Sequence, residues 1–385
     1  MTAADASGDL IYLAPHRWES IVQRPQHLAA AFAARGWRVL VVEPVAYSVV
    51  GNLRRVARRQ PVAWRGGLVE RGPQLWSYRP PPGLPLTMAS AGLNRAGHRL
   101  ARPGLVRALG RLGFRRPALV VGWPLAAPWV GQLGERVAVY DCMDDFPAFP
   151  QGERRRRNIV AAEARLAARC DCVVVTSDVL REKWAGRART VRLIPNGVAD
   201  SFLTVFEGSP AIPADLAAIP APRLLYVGVL DRWLDQESLV LLARRHPEWS
   251  LVFVGPVEAP VGDLAALPNV HLLGARPHAA LPGYLAASAV GLIPFAVSPL
   301  TVAVNPVKLY EYLAAGLPVA ATPLPELAQF GDLCQLGECG EAFVRAVERA
   351  VAEAGDRARR EERRAVARQH TWGSRAAEFA ALLGA

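Results

Sequence analysis

Lys308 and Glu311 stand three residues apart in a segment, residues 305–322, that reads NPVKLYEYLAAGLPVAAT. Asn305 suits a helix N-cap, Pro306 the first helical position, and Gly316 with Pro318 a stop. The spacing therefore predicts a helix over 306–315, followed at once by a buried strand, PVAAT. The start of such a helix leaves four backbone N–H groups free and carries the positive end of the dipole, which makes it an anion site. Lys308 adds a cation to that first turn, and Glu311 lies on the same face about 5 Å further along the axis. An ammonium at an anion-binding helix start, backed by a carboxylate, suits a nucleoside diphosphate and its ribose hydroxyls. Of 45 Lys+Arg only Lys183 and Lys308 are lysines. In so arginine-biased a chain, a lysine at 308 fits a need for a compact point charge rather than a planar fork; Lys183 has no role legible from sequence.

Two further groupings carry chemistry. Asp141, Asp144 and Asp145, in YDCMDDF, follow a strand-like run. They could orient an acceptor hydroxyl, act as a base, since a like-charged neighbour raises one pKa, or bind a metal. Upstream, PHRWESIVQRPQH gathers His16, Arg17, Trp18, Gln23, Arg24 and His27 near the amino end of a helix that Pro25 helps to start. That cluster reads either as an acceptor-binding surface or as packing.

The 305–322 segment resembles the nucleotide-sugar-binding helix of GT-B glycosyltransferases, especially the group-4 type related to the teichuronic-acid transferases. Further segments fit in order: QRPQHLAAAFAARGWRVLVVEP at 23–44, VYDCMDDFPAF at 139–149, VVVTSDVL at 173–180, IPNGVADSF at 194–202, LLYVGVLDRWLD at 224–235 and NVHLLGARPHAALPGYLAASAVGLIPF at 269–295. Only residues near 50–116 fall outside the likeness. It implies transfer of a sugar from a nucleotide-diphosphate sugar to a lipid-linked or polysaccharide acceptor, with retention and without metal or other cofactor; the base is not legible from the sequence. The helix start, Lys308 and Arg232 would stabilise the departing diphosphate. Gly228 would let the backbone approach the ligand, Gly274 and Arg276 sit where relatives hold the base, and Glu311 would bind ribose. His16, Trp18, Gln23, Arg24 and Asp141 would bind the acceptor, with Asp144 and Asp145 catalytic. The chain departs from the pattern in three places. Trp233, Leu234 and Asp235 fill the positions where a lysine usually follows Arg232. Ala303 replaces the first glutamate of the Glu-x7-Glu motif, leaving sugar recognition to groups such as Thr301, Asn305 and the 299–305 backbone, with Pro306 beside them. Trp123 and Pro124 stand where many relatives place a histidine. A GT-B epimerase and a non-catalytic nucleotide-sugar-binding protein are the alternatives.

Composition sets the frame for these groups. The 385 residues, 51% of them hydrophobic, can bury two cores. No basic leader opens the chain, and the apolar stretch near 117–133 is broken by Pro117, Pro124 and Pro128, so a cytoplasmic protein, peripheral at most to the inner face of the plasma membrane, is expected. Five cysteines without a Cys-x-x-Cys pair read as buried thiols. The net charge of +11 is uneven: residues 1–200 hold 30 Lys+Arg against 15 Asp+Glu, and residues 201–385 hold 15 against 19. Residues 51–116 alone carry 14 arginines and a single acid, Glu70, among Trp64, Trp76 and Tyr78. Such a stretch favours an anionic membrane surface. Nucleic acid is not expected, because no reading motif accompanies the charge.

The elements that must position these residues alternate as parallel βα units. Strands are expected at 9–14, 38–42, 118–122, 137–141, 172–176 and 190–194, then, after a proline-marked linker over 201–222, at 223–228, 250–255, 269–273, 289–293 and 318–322. The fold class is α/β, with two Rossmann-like domains, 1–200 and 223–371, facing across a cleft, and a helix over 372–385 returning to the first.

Overall fold

The computed structural model describes residues 8–44, 66–82 and 88–384. Trp64 and five of the fourteen arginines expected to form a basic surface lie outside these residues. The chain divides into two compact units, the first comprising Met1–Pro195 with Arg375–Ala385, the second Asn196–Ser374.

In the first unit the strands are β1 (Asp9–Leu13), β2 (Arg38–Val42), β3 (Gly67–Gly72), β4 (Leu75–Arg79), β5 (Ala118–Val121), β6 (Val137–Cys142), β7 (Cys172–Val175) and β8 (Val191–Leu193). They form one sheet in the order β3-β4-β2-β1-β5-β6-β7-β8, parallel except for β3 against β4. Strands β1, β5 and β7 are buried at every residue. That is why each, past Asp9 at the start of β1, reads as an unbroken apolar run, as strands covered on both faces do. β3 and β4 went unread: GLVERG is a partly exposed edge and LWSYR mixes apolar with polar residues, so neither carries the fully apolar signature.

The second unit holds β9 (Arg223–Val227), β10 (Ser250–Val254), β11 (Val270–Gly274), β12 (Val290–Ile293), β13 (Val319–Ala321) and β14 (Cys334–Leu336). Their order, β11-β10-β9-β12-β13-β14, is all parallel. It is the doubly wound order, whose direction reverses between β9 and β12. The first unit reverses in the same way between β1 and β5. Both units are thus Rossmann-like. The stretch expected to be a linker is part of the second unit. Helices Asp200–Glu207 and Ala214–Ala217 lie in it, and Phe202, Phe206, Leu216 and Ile219 join that unit's core. The prolines there break the helices up without freeing the chain. The terminal helix Trp372–Leu382 starts in the second unit and ends in the first. Phe379, fully buried, stacks edge-on against Phe32 of helix Arg24–Ala34.

Candidate functional site

The helix expected over 306–315 spans Val307–Ala315 and ends on Gly316 in the left-handed conformation, φ 77°. Its cap differs from expectation. Pro306 occupies the N-cap position and no side chain caps the helix. Asn305 is buried and otherwise engaged: its Oδ1 accepts from the Asn196 backbone N–H at 3.0 Å and the Tyr310 hydroxyl at 3.1 Å, and its Nδ2 donates to Glu326 at 3.1 Å. These bonds tie Asn305 to neighbouring segments and leave the first-turn N–H groups without a side-chain acceptor.

Lys308 lies at that helix start beyond the carboxyl ends of β9 and β12, the switch point of the sheet. Its Nζ stands 4.3 Å from the ring centre of Tyr226, on β9, and 4.5 Å from that of Phe295, just after β12. Gly228 completes the enclosure. A Cβ there would come within 3.0 Å of Lys308 Nζ, and its φ of 140° is open to glycine. Gly255, after β10, is packed more closely still, since a Cβ would fall 1.9 Å from the Gly228 carbonyl oxygen. Burial pushes the Lys308 ammonium down to about 7, against the pull of Glu311. Among the described residues no ion pair or hydrogen bond holds that ammonium; two aromatic faces do. A charge so placed costs free energy until an anion arrives.

Glu311, one turn on, is buried and bonds through Oε1 to His278 Nε2 at 2.9 Å; the His278 ring stacks on Phe202, centroids 4.8 Å apart. Sequence reasoning passed over His278, although it lies just after the Gly274-Ala-Arg turn. Arg232 is exposed, and no carboxylate pairs with its guanidinium among the described residues. Gly274 has φ 72°, and its carbonyl accepts from Gly255 N–H at 3.0 Å. Two expected donor contacts are spent internally. The Arg276 guanidinium pairs with Asp215 at 2.7 Å and donates to the Tyr284 hydroxyl. Thr301 is buried, its hydroxyl donating to the Ala296 carbonyl at 2.6 Å and accepting from Ser298 N–H at 2.9 Å. Both side chains shape the turns they sit in. Ala303 is buried, as a small residue in that turn can be.

In the first unit the three aspartates part company. Asp141 is fully buried rather than presented to solvent. Arg24 grips both its oxygens at about 3 Å, and Tyr12 donates to it as well. Arg24 also donates to the Pro195 carbonyl at 3.1 Å. Arg24 and Asp141, both expected at the acceptor, instead neutralise each other inside the sheet's switch point. Asp145 accepts from Lys183 at 2.7 Å, and Lys183 reaches the buried Glu163 at 2.9 Å, so the second lysine has a structural role. The Asp144 carboxyl alone has no hydrogen-bond or ion-pair partner among the described residues. Burial raises it from 3.8 to about 7, opposed by Arg24 and aided by Asp141 and Asp145. His16 bonds to Gln26 at 3.1 Å, and burial lowers its imidazole. Trp18 lies under the Arg71 guanidinium, 5.7 Å from its ring centre, and Gln23 caps helix Arg24–Ala34, its N–H bonded to Gln26. These three therefore hold local structure, with Gln23 and part of His16 and Trp18 still reaching solvent. Of the cysteines, four are buried and Cys339 is exposed, against the expectation for that one.

Residues 221–354 match the family model described as Glycosyl transferases group 1, which covers the Lys308 helix and all of the second unit's sheet. TuaH of Bacillus subtilis (strain 168), named as a teichuronic acid biosynthesis glycosyltransferase, is 31% identical over 254 residues, 61% of this chain and 63% of that protein. The match thus spans less than two thirds of the relative's length. Among solved structures, a sucrose-phosphate synthase from Thermosynechococcus elongatus superposes with a TM-score of 0.70 at 20% identity, covering 98% of both chains. An α,α-trehalose-phosphate synthase (UDP-forming) from Burkholderia xenovorans, in complex with glucose-6-phosphate, gives 0.67 at 14%, covering 98% of this chain and 100% of that one. At such identities the likeness establishes the fold, which is GT-B.

Proposed function

We propose that the protein is a glycosyltransferase that takes a sugar from a nucleotide-diphosphate sugar and passes it to a lipid-linked or polysaccharide acceptor at the inner face of an anionic membrane. The observation that carries this reading is Lys308: a half-buried ammonium at the switch point, walled by Tyr226, Phe295 and Gly228, that makes no ion pair among the described residues. A diphosphate supplies that anion and receives the free N–H groups of the helix start. The Burkholderia xenovorans synthase is a UDP-forming enzyme, and UDP is the nucleotide we infer here. As the bond from the anomeric carbon to the diphosphate breaks, negative charge grows on the leaving oxygen, and Lys308, with Arg232 reaching in from the exposed loop, stabilises it. Gly228 and Gly274 give the nucleotide close approach to backbone, and the Oε2 of Glu311, without a hydrogen-bond partner among the described residues, is left for a ribose hydroxyl while His278 fixes Oε1. Asp144, near neutrality in the folded protein, is poised to take the proton of the acceptor hydroxyl. Protein cations and the helix end would manage the diphosphate without a metal, and the anomeric configuration would be retained.

The test is a panel of nucleotide sugars screened by thermal shift, followed by transfer of labelled sugar in the presence of a chelator. UDP-sugars should raise the melting temperature by mass action, and transfer should persist without divalent cations. No shift with any nucleotide would remove the donor-site assignment, and loss of transfer on chelation would remove the metal-free mechanism. Ala303 in place of the usual glutamate gives the non-catalytic alternative its footing; binding without release of nucleoside diphosphate would favour it.

A further inference from the structure

The helix Ala91–Leu112 buries His98, Ala101, Leu105 and Leu109 against the first unit. Its outer face carries Arg95, Arg99, Arg102, Arg107 and Arg111, all exposed, and the helix contains no acid. Between them Leu100 is 68% exposed and Val106 43%. Helical spacing sets 95, 99, 102 and 106 in one stripe and 100, 103, 107 and 111 in the next, so the two aliphatics are bracketed by guanidinium groups along about 24 Å of helix. Among the described residues none of the five arginines has a carboxylate partner. Some exposed arginines elsewhere are paired, as Arg245 is with Glu341 at 2.6 Å. The basic face also continues past the helix. Arg154 donates to the Ala89 carbonyl at 3.1 Å, which brings it and exposed Arg155 to the amino end.

We propose that this face docks the first unit on an anionic phospholipid bilayer. It rests on the membrane-face reading above only for its purpose, since docking is measured without catalysis. Five uncompensated cations call for a polyanion, and the aliphatics decide which. Leu100 and Val106 gain nothing against a sugar-phosphate backbone, whereas the headgroup boundary of a bilayer accepts them and lets the arginine stems splay upward to phosphate. The helix would lie in the plane of the surface. No helix among the described residues is long and apolar enough to cross a membrane, so attachment of this kind depends on such a face.

Co-sedimentation of the full chain with vesicles tests the assignment. Binding is expected to phosphatidylcholine vesicles containing phosphatidylglycerol and not to phosphatidylcholine alone, and it should weaken as salt rises. Each arginine near such a surface contributes about fivefold in partition, so the Arg99→Glu/Arg102→Glu pair should lower it by more than about 25-fold. Arg187→Glu/Arg192→Glu, the same charge change at exposed sites elsewhere in the unit, should have far less effect. Leu100→Ser/Val106→Ser should remove the part of binding that survives high salt. Equal loss with the control pair, equal binding to neutral vesicles, no pelleting at low salt, or competition by duplex DNA that the serine pair leaves unchanged would each overturn the proposal. A donor-induced thermal shift unchanged in all these variants keeps the result separate from the donor-site assignment.

Discussion

At the scale of the residue, two groups are held in protonation states that cost the folded protein something. Lys308 has its ammonium lowered from 10.5 to about 7 by burial. The folded apo protein therefore loses stability as pH falls below about 10.5, and the loss is complete below about 7. Lys308→Met should consequently raise the melting temperature of the apo protein at pH 7 while abolishing the shift that UDP gives the parent protein. It should also slow transfer roughly 10²- to 10³-fold. A residue that merely packed would move both melting temperatures the same way. Because a bound diphosphate restores the charge, nucleotide binding at pH 8 should take up a proton, seen as a dependence of calorimetric enthalpy on buffer, and Lys308→Met should lack it. Asp144 is the mirror case. Its carboxyl, raised from 3.8 to about 7, contributes stability that is present below about 3.8 and lost as pH rises through about 7. Turnover should rise with pH through a limb near 7 as the base form appears, and Asp144→Asn should remove the limb, cut turnover roughly 10²- to 10⁴-fold and leave donor affinity alone.

At the scale of the element, every strand read from an apolar run is present, and what was missed has a common physical cause. β3 and β4 lie at a partly exposed edge, and β14 is the three residues CQL, too short for a pattern. The Lys308 helix was legible because proline and glycine punctuate it. The work of Asn305 was not, since a side chain that can cap a helix can equally bond to a segment 109 residues away, as it does with Asn196. Asp141 teaches the same lesson. Its place at the end of β6 is local, but Arg24, 117 residues earlier, decides that it is neutralised in the interior. Removing one partner leaves a buried charge, so Asp141→Ala or Arg24→Ala should cost on the order of 3–5 kcal/mol. The double variant Arg24→Met/Asp141→Leu should cost much less than the sum, measured by urea denaturation. Additive losses would mean the two act separately.

At the scale of the whole molecule, the basic charge belongs to the first half of the chain and the ammonium awaiting an anion to the second. Each unit should therefore answer a different ligand. Hydrogen exchange with UDP should show protection concentrated in the loops after β9, β10 and β12 and at the start of helix Val307–Ala315, while anionic vesicles should protect the helix Ala91–Leu112. Protection of that helix by nucleotide alone would contradict the division. The path of the terminal helix also bears on the order of synthesis. Residues 196–374 form one continuous stretch, so on the ribosome the second unit has its full complement before translation is over. The first unit begins earlier and finishes later, because Phe379, which closes against Phe32, is made only after residue 374. Until then helix Arg24–Ala34 waits with part of its apolar face uncovered. A nascent chain stalled before residue 375 should hold a protease-resistant second unit beside a first unit that is still cut, and it is the amino-terminal half, made first, that would need a chaperone longest.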